Sequence, residues 1–264
     1  MSESRALITG ASSGIGEAFA RSLRARGERL VLVARRADRL ERLVRELGGE
    51  EWALPMPLDL AADGAAGQLA RALQERGIEV DLLVNNAGLG HTAPFAIQEP
   101  KVLRAMIDLN VRAVVELTRT FVPAMKEHGR GRIVNVASNA AFQPVPFHTV
   151  YAATKAFVLS FTEGLAEELR GTGVRVQALC PGLTRTEFLD VSQTDSALLI
   201  SRMPMMTSEQ VVAASLRGLD RGRVRVVVGF TNRLLAAAVR LSPSALVRRV
   251  AAVLYRPAVG EGPR

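Results

Sequence analysis

The chain has 264 residues, 48% hydrophobic and 23% charged, a balance that suits one large α/β domain with an ample core and argues against extended disorder. Its formal net charge of +8 is almost all arginine, since Lys101, Lys126 and Lys155 are the only lysines, so no nucleic-acid partner is inferred from it. One cysteine, Cys180, excludes an internal disulfide; no apolar N-terminal run with a cleavage site precedes Arg5, and no apolar run approaches the ~20 residues of a membrane span, so a cytoplasmic protein is expected.

In chain order, β-branched runs at 5–10, 29–35, 52–59, 81–86, 132–138, 174–180 and 224–229 read as strands, most of them apolar on both faces. Between them, 16–27, 38–47, 64–76, 99–126, 150–170 and 208–220 place apolar residues at helical spacing. The alternation predicts a single-domain, Rossmann-type α/β fold, a doubly wound parallel sheet of about seven strands over residues 1–229. A basic, amphipathic, helical C-terminal extension occupies 230–264.

The first strand runs into "TGASSGIG", Thr9 to Gly16. Gly10 permits a tight exit from the strand, while Gly14 and Gly16 let backbone approach a pyrophosphate at a helix N-terminus, where free N–H groups and the helix dipole favour anions. A strand before and a helix after are the context this dinucleotide-binding reading requires. The second strand ends in "VARRADRL", where a site for NAD usually carries an acid. Arg35 and Arg36 stand there instead, and guanidinium groups suit a 2′-phosphate, so NADP(H) is the expected cofactor. His91, His128 and His148 lack metal-ligand spacing, and no metal is expected.

Tyr151 and Lys155 lie four apart, on one face of a helix. A free phenol titrates at about 10, and lowering that by about 3 units requires roughly 4 kcal/mol of preference for phenolate. One positive charge about 5 Å away, at an effective dielectric near 20, supplies about 3 kcal/mol. Tyr151 is thus a candidate general acid for a carbonyl oxygen, or the base in reverse, with Lys155 tuning it. Ser138 ends a strand at the sheet edge where such folds place ligands, and its hydroxyl can bond the same oxygen.

With "TGASSGIG", "NNAG" (Asn85 to Gly88), "DLNV", "VAS" and the Tyr151/Lys155 pair in this order, the chain resembles the short-chain dehydrogenase/reductases over roughly residues 5–229. The resemblance implies a catalytic set of Asn110, Ser138, Tyr151 and Lys155, with Asn110 holding a water that relays protons from Lys155. It extends the cofactor site from Gly10, Ser12, Ser13, Gly14, Ile15 and Gly16 to Asn86, Ala87 and Gly88. Asp59, followed by Leu60, is the implied partner of the adenine amino group, and Lys155 also holds the nicotinamide ribose. "PGLTRTEF" implies that Pro181, Gly182, Thr184 and Thr186 receive the carboxamide.

The flap, 183–207, carries Phe188, Leu189 and Met203, and the segment before Tyr151 adds Phe142, Val145 and Phe147. Neither has an arginine or lysine cluster for a substrate phosphate, so a small apolar carbonyl compound is expected, touched by these residues together with Ser138 and Tyr151. His148, three before Tyr151, is within reach of a substrate, but a loop histidine without a role is the favoured reading. In the extension, Ser242 and Pro243 read as an N-cap and first helical residue, giving two short helices. Residues 230–264 hold six arginines against one acid, Glu261. Packing on the domain or a twin subunit, in a homodimer or homotetramer, is favoured over peripheral contact with an anionic membrane surface.

The combined expectation is an NADPH-dependent carbonyl reductase. The alternatives are an NAD-dependent alcohol or hydroxysteroid dehydrogenase, and a dinucleotide-sensing or membrane-associated binding protein without turnover. A tuned phenol argues against the last.

Overall fold

A computed structural model describes residues 3–188 and 205–255. Strands β1 (Glu3–Thr9), β2 (Leu30–Ala34), β3 (Ala53–Pro57), β4 (Ile78–Asn85), β5 (Gly131–Val136), β6 (Val174–Cys180) and β7 (Arg225–Val227) form one parallel sheet in the order β3-β2-β1-β4-β5-β6-β7. The order reverses between β1 and β4, so the loops after these two strands diverge and open a crevice at the C-terminal edge of the sheet.

Helices α1 (Gly14–Ala25), α2 (Ala37–Glu46) and α7 (Ser208–Asp220) cover one face; α3 (Ala65–Gln74), α5 (Ala113–Glu127) and α6 (Thr149–Glu168) cover the other. The β2 sequence LVLVA is buried throughout because successive side chains enter different cores. Leu30, Leu32 and Ala34 join Phe19, Leu40 and Val211, whereas Val31 and Val33 join Leu69, Leu117 and Ile133. A ladder of polar side chains crosses these layers. Asn85 on β4 donates to Asn135 on β5 at 2.8 Å and to Thr118 at 3.1 Å, and Asn135 donates to Thr162 at 3.0 Å. This ladder ties the two central strands to α5 and α6 directly beneath the crevice.

The helix expected over 99–126 is interrupted. It forms α4 (Pro100–Ile107), a π-turn over Asp108–Arg112 and then α5, with Asn110 at the centre of the turn. Periodicity does not register the inserted residue, because the apolar stripe continues on either side of it. The third strand ends at Pro57 rather than at Asp59, whose carboxylate accepts from the Ala61 N–H at 3.0 Å and shapes the following loop.

The extension forms α8 (Phe230–Leu241) and α9 (Ser244–Tyr255). Ser242 terminates α8 instead of starting α9: its hydroxyl donates to the Ala238 carbonyl at 2.8 Å, and the Pro243 carbonyl accepts the first bonds of α9. Among the described residues, no helix is long and apolar enough to cross a membrane.

Candidate active site

The glycine-rich loop is shaped by close approach. A Cβ on Gly16 would lie 2.2 Å from the Gly10 carbonyl oxygen and 2.6 Å from the Asn86 amide nitrogen. Gly10 itself has φ of 65°, a conformation open to glycine at little cost. Thr9 fastens the loop to the neighbouring strand end. Its hydroxyl donates to the Val84 carbonyl at 3.2 Å and accepts from the N–H groups of Asn86 and Ala87, both at 2.9 Å. Ser13, the N-cap of α1, makes no capping bond with its side chain, so the first-turn N–H groups remain available to an anion.

Tyr151 and Lys155 lie on α6, both buried. The Lys155 ammonium is 5.7 Å from the centre of the Tyr151 ring and donates to the Val136 carbonyl at 2.8 Å. Burial pushes the lysine down to about 8, which leaves it cationic at neutral pH. Ser138 follows β5 two residues on, and its hydroxyl oxygen accepts from the Ala140 N–H at 3.1 Å. Asn110 is fully buried: its side chain accepts from the Leu89 N–H at 2.8 Å and donates to the Leu89 carbonyl at 2.9 Å and to Thr154 at 3.0 Å. It thereby fixes the chain just beyond "NNAG". Gly88 lies between them, with both the Asn110 amide oxygen and the Lys155 nitrogen 3.4 Å from where its Cβ would be.

One cleft of about 450 Å³ joins the two ends of this arrangement. Gly10, Ser12, Ser13, Gly14, Ile15, Arg35, Arg36, Asp59 and Leu60 line one end, and Ser138, Val145, Tyr151, Lys155 and Phe188 the other. Asn86, Ala87, Gly88, Pro181, Gly182, Thr184 and Thr186 lie between. The donor set fits a dinucleotide: a glycine cradle for a pyrophosphate, and guanidinium groups where the second strand ends. Arg36, rather than exposed Arg35, is turned inward. It donates to Ser12 at 3.1 Å and Ser13 at 3.0 Å and pairs with Glu187 at 3.0 Å.

Phe188 is seated between Gly90, where a Cβ would fall 2.5 Å from its ring, and Tyr151, whose ring centre is 5.5 Å away. Val145 is buried and lines the same cleft. Two of the aromatic residues expected at the substrate do not line the cleft. Phe142 packs on the cluster around Val158 and Leu159, because the short turn of 139–142 points it inward. Phe147 takes φ of 65° and gives its carbonyl to the Ala93 N–H at 3.0 Å. Leu189 and Met203 lie outside the described residues.

Three contributors escaped the sequence reading, and a fourth, His148, was weighed there and set aside. His148 lines the cleft, buried, with its ring 4.4 Å from that of Tyr151 in an edge contact and its Nδ1 2.6 Å from the Thr92 hydroxyl. Burial pushes its pKa down to about 4, so it is neutral. Its position three before Tyr151, as the residue that precedes α6, is the signal that marks it. Asn139 lines the cleft with a buried side-chain oxygen. Asn232 and Leu235 reach the cleft from α8, and Asn232 is fitted so tightly against Gly182 that a Cβ there would come within 2.4 Å of it.

Residues 4–197 match the family described as short chain dehydrogenase. The chain belongs to the short-chain dehydrogenase/reductase family. This short-chain dehydrogenase/reductase is 31% identical over 251 residues to the ketoacyl reductase HetN of Nostoc sp., covering 92% of the chain and 86% of that protein. Its structure is similar to that of a short-chain dehydrogenase from Sphingobium yanoikuyae in complex with NADPH, with a TM-score of 0.79 and 33% identity over 90% of this chain and 93% of that one. A short-chain dehydrogenase/reductase from Burkholderia phymatum in complex with NAD gives a TM-score of 0.80 and 28% identity over 91% and 92%. The protein is an oxidoreductase of this family, acting on hydroxyl or carbonyl groups.

Proposed function

We propose that the protein reduces the carbonyl group of an apolar substrate to the alcohol with NADPH. The observation that carries this reading is the single cleft, with a buried phenol and ammonium at one end and the inward-turned Arg36 beside two serine hydroxyls at the other. The glycine loop, Arg36 and the 181–186 segment would hold NADPH, which when bound would supply the hydride. Tyr151 donates the proton to the carbonyl oxygen, and the Ser138 hydroxyl donates a hydrogen bond to the same atom. The Lys155 charge lowers the free energy of the phenolate left behind.

Reprotonation of the Tyr151 phenolate runs inward, from water through the Lys155 ammonium to the phenolate oxygen. The Asn110 side chain spends both its donors and one acceptor bond on Leu89 and Thr154, so in this reading the backbone carbonyls of the π-turn hold that water. Val145, Leu183, Phe188 and Leu235 around Tyr151 favour an apolar carbonyl, and the named activity of HetN is consistent with an acyl chain. The exposed apolar residues Phe157, Leu234, Leu246 and Val250 support assembly with further copies of the chain as a homodimer or homotetramer.

Replacing Tyr151 by Phe is expected to abolish carbonyl-dependent NADPH oxidation, read at the reduced-nicotinamide band, while NADPH binding by calorimetry persists. Activity equal to wild type removes the mechanism. The NAD-bound relative favours a second reading, oxidation of an alcohol with NAD+ by the same residues. Turnover with each cofactor in turn decides between them.

A further inference from the structure

Three consecutive residues bridge the whole cleft. The Thr186 methyl lies 2.9 Å from where a Cβ on Gly14 would stand, over the glycine loop, and Phe188 packs on Tyr151. Between them, Glu187 places one carboxylate oxygen 3.0 Å from Arg36 and the other 2.5 Å from Arg39. The same Arg36 guanidinium holds the Ser12 and Ser13 hydroxyls. Two cations and two hydroxyls therefore converge beside the end of β2, and the anion among them is a side chain of the protein itself. The pairing holds the Glu187 carboxyl below its ordinary range, mainly through hydrogen bonds from Arg39 and then Arg36, so it is a carboxylate at neutral pH.

We propose that Glu187 is a cofactor-selecting residue, an internal anion that occupies the Arg36–Arg39 pair and yields it to the 2′-phosphate of NADP(H). Resting on the NADP(H) reading above, this adds Arg39 to the cofactor site and gives Glu187 an opposing role. A phosphate and a carboxylate cannot both be satisfied by the same guanidinium donors at hydrogen-bond distance, because their charges repel and the donor directions are fixed. Binding of a 2′-phosphate therefore exchanges one anion for another. A cofactor with a bare 2′-hydroxyl brings no competing charge and leaves the Glu187 pairing intact.

The exchange reduces NADP(H) affinity below what the arginines alone would give. All three side chains are between about a third and a half exposed, 42% for Arg36, 31% for Arg39 and 43% for Glu187, so solvent screens the pairing and the exchange is reversible. The same exposure makes the pairing an unneeded element for folding. Glu187 is thus open to substitution without loss of the sheet or the catalytic pair.

The test is calorimetric titration of wild type, E187Q and E187D with adenosine 2′,5′-bisphosphate, 5′-AMP, NADP+ and NAD+. E187Q keeps the shape and removes the charge; it is expected to bind the bisphosphate and NADP+ roughly three- to tenfold more tightly, with 5′-AMP and NAD+ unchanged within about twofold. E187D, which keeps the charge, should lie nearer wild type. Unchanged or weaker bisphosphate binding by E187Q overturns the exchange, even where wild type prefers NADP+. A wild-type preference for NAD+ refutes the NADP(H) reading instead, and the exchange is still judged on the ratio of E187Q to wild type for the bisphosphate.

Discussion

The buried His148 ties the stability of the fold to acid pH, and the size of the effect follows from its surroundings. The unfolded chain takes up a proton near the ordinary 6.5, whereas burial holds the folded imidazole down to about 4. Between these values the unfolded state carries more protons, so the contribution is fully present above about 6.5 and is lost as pH falls toward about 4. The gap of about 2.5 pH units corresponds to about 3 kcal/mol between pH ~7 and pH ~4. Urea unfolding, followed through the single tryptophan, Trp52, at one protein concentration, measures it.

Other groups also titrate in this range, so the comparison is with His148→Gln, which retains a polar partner for Thr92. Wild type should lose about 3 kcal/mol more than the variant over the interval. Parallel pH dependences would falsify the assignment of a neutral, desolvated imidazole. The functional corollary concerns Tyr151. A histidine neutral near pH ~7 and in edge contact with the phenol positions it and cannot replace it as the acid.

Lys155, held at about 8 by burial, sets the alkaline limit of the reaction. With NADPH saturating, kcat/KM for carbonyl reduction should be level below about pH 8 and fall about tenfold per unit above it, as the ammonium is lost; a profile without a break there refutes the role. Leu235→Ala, which trims one apolar side chain at the cleft, should raise KM for a bulky apolar ketone roughly fivefold, with little change for a small aldehyde or in NADPH affinity. Equal losses on both substrates would show that α8 acts only through stability.

The sheet was legible because nearly every strand is apolar on both faces, so seven runs separated by helical periodicity admit few other arrangements. The glycine loop and the Tyr151/Lys155 pair were legible for a different reason: each is a local pattern whose spacing dictates its geometry. Features made by contact between distant segments were not. Nothing in the sequence near Glu187 announces Arg39, 148 residues earlier, as its partner. The π-turn at Asn110 hid inside an uninterrupted apolar stripe. Phe142 and Val145 are equally apolar and three residues apart, yet the turn of 139–142 sends one into the core and leaves the other at the cleft. Ser242 has the chemistry of a cap at either end of a helix, and only the position of its hydroxyl tells which.

The contribution of α8 to the cleft separates two tasks that share one cavity. The groups that move protons hang from the central strands and α6, where any displacement disturbs the sheet. Leu235 hangs from a helix that supplies no strand and follows the last one. The size and shape of what enters can therefore change by substitution in one peripheral helix while the proton-transfer geometry stays fixed. Asn232, wedged against Gly182, marks the joint at which this replaceable wall is keyed to the permanent frame.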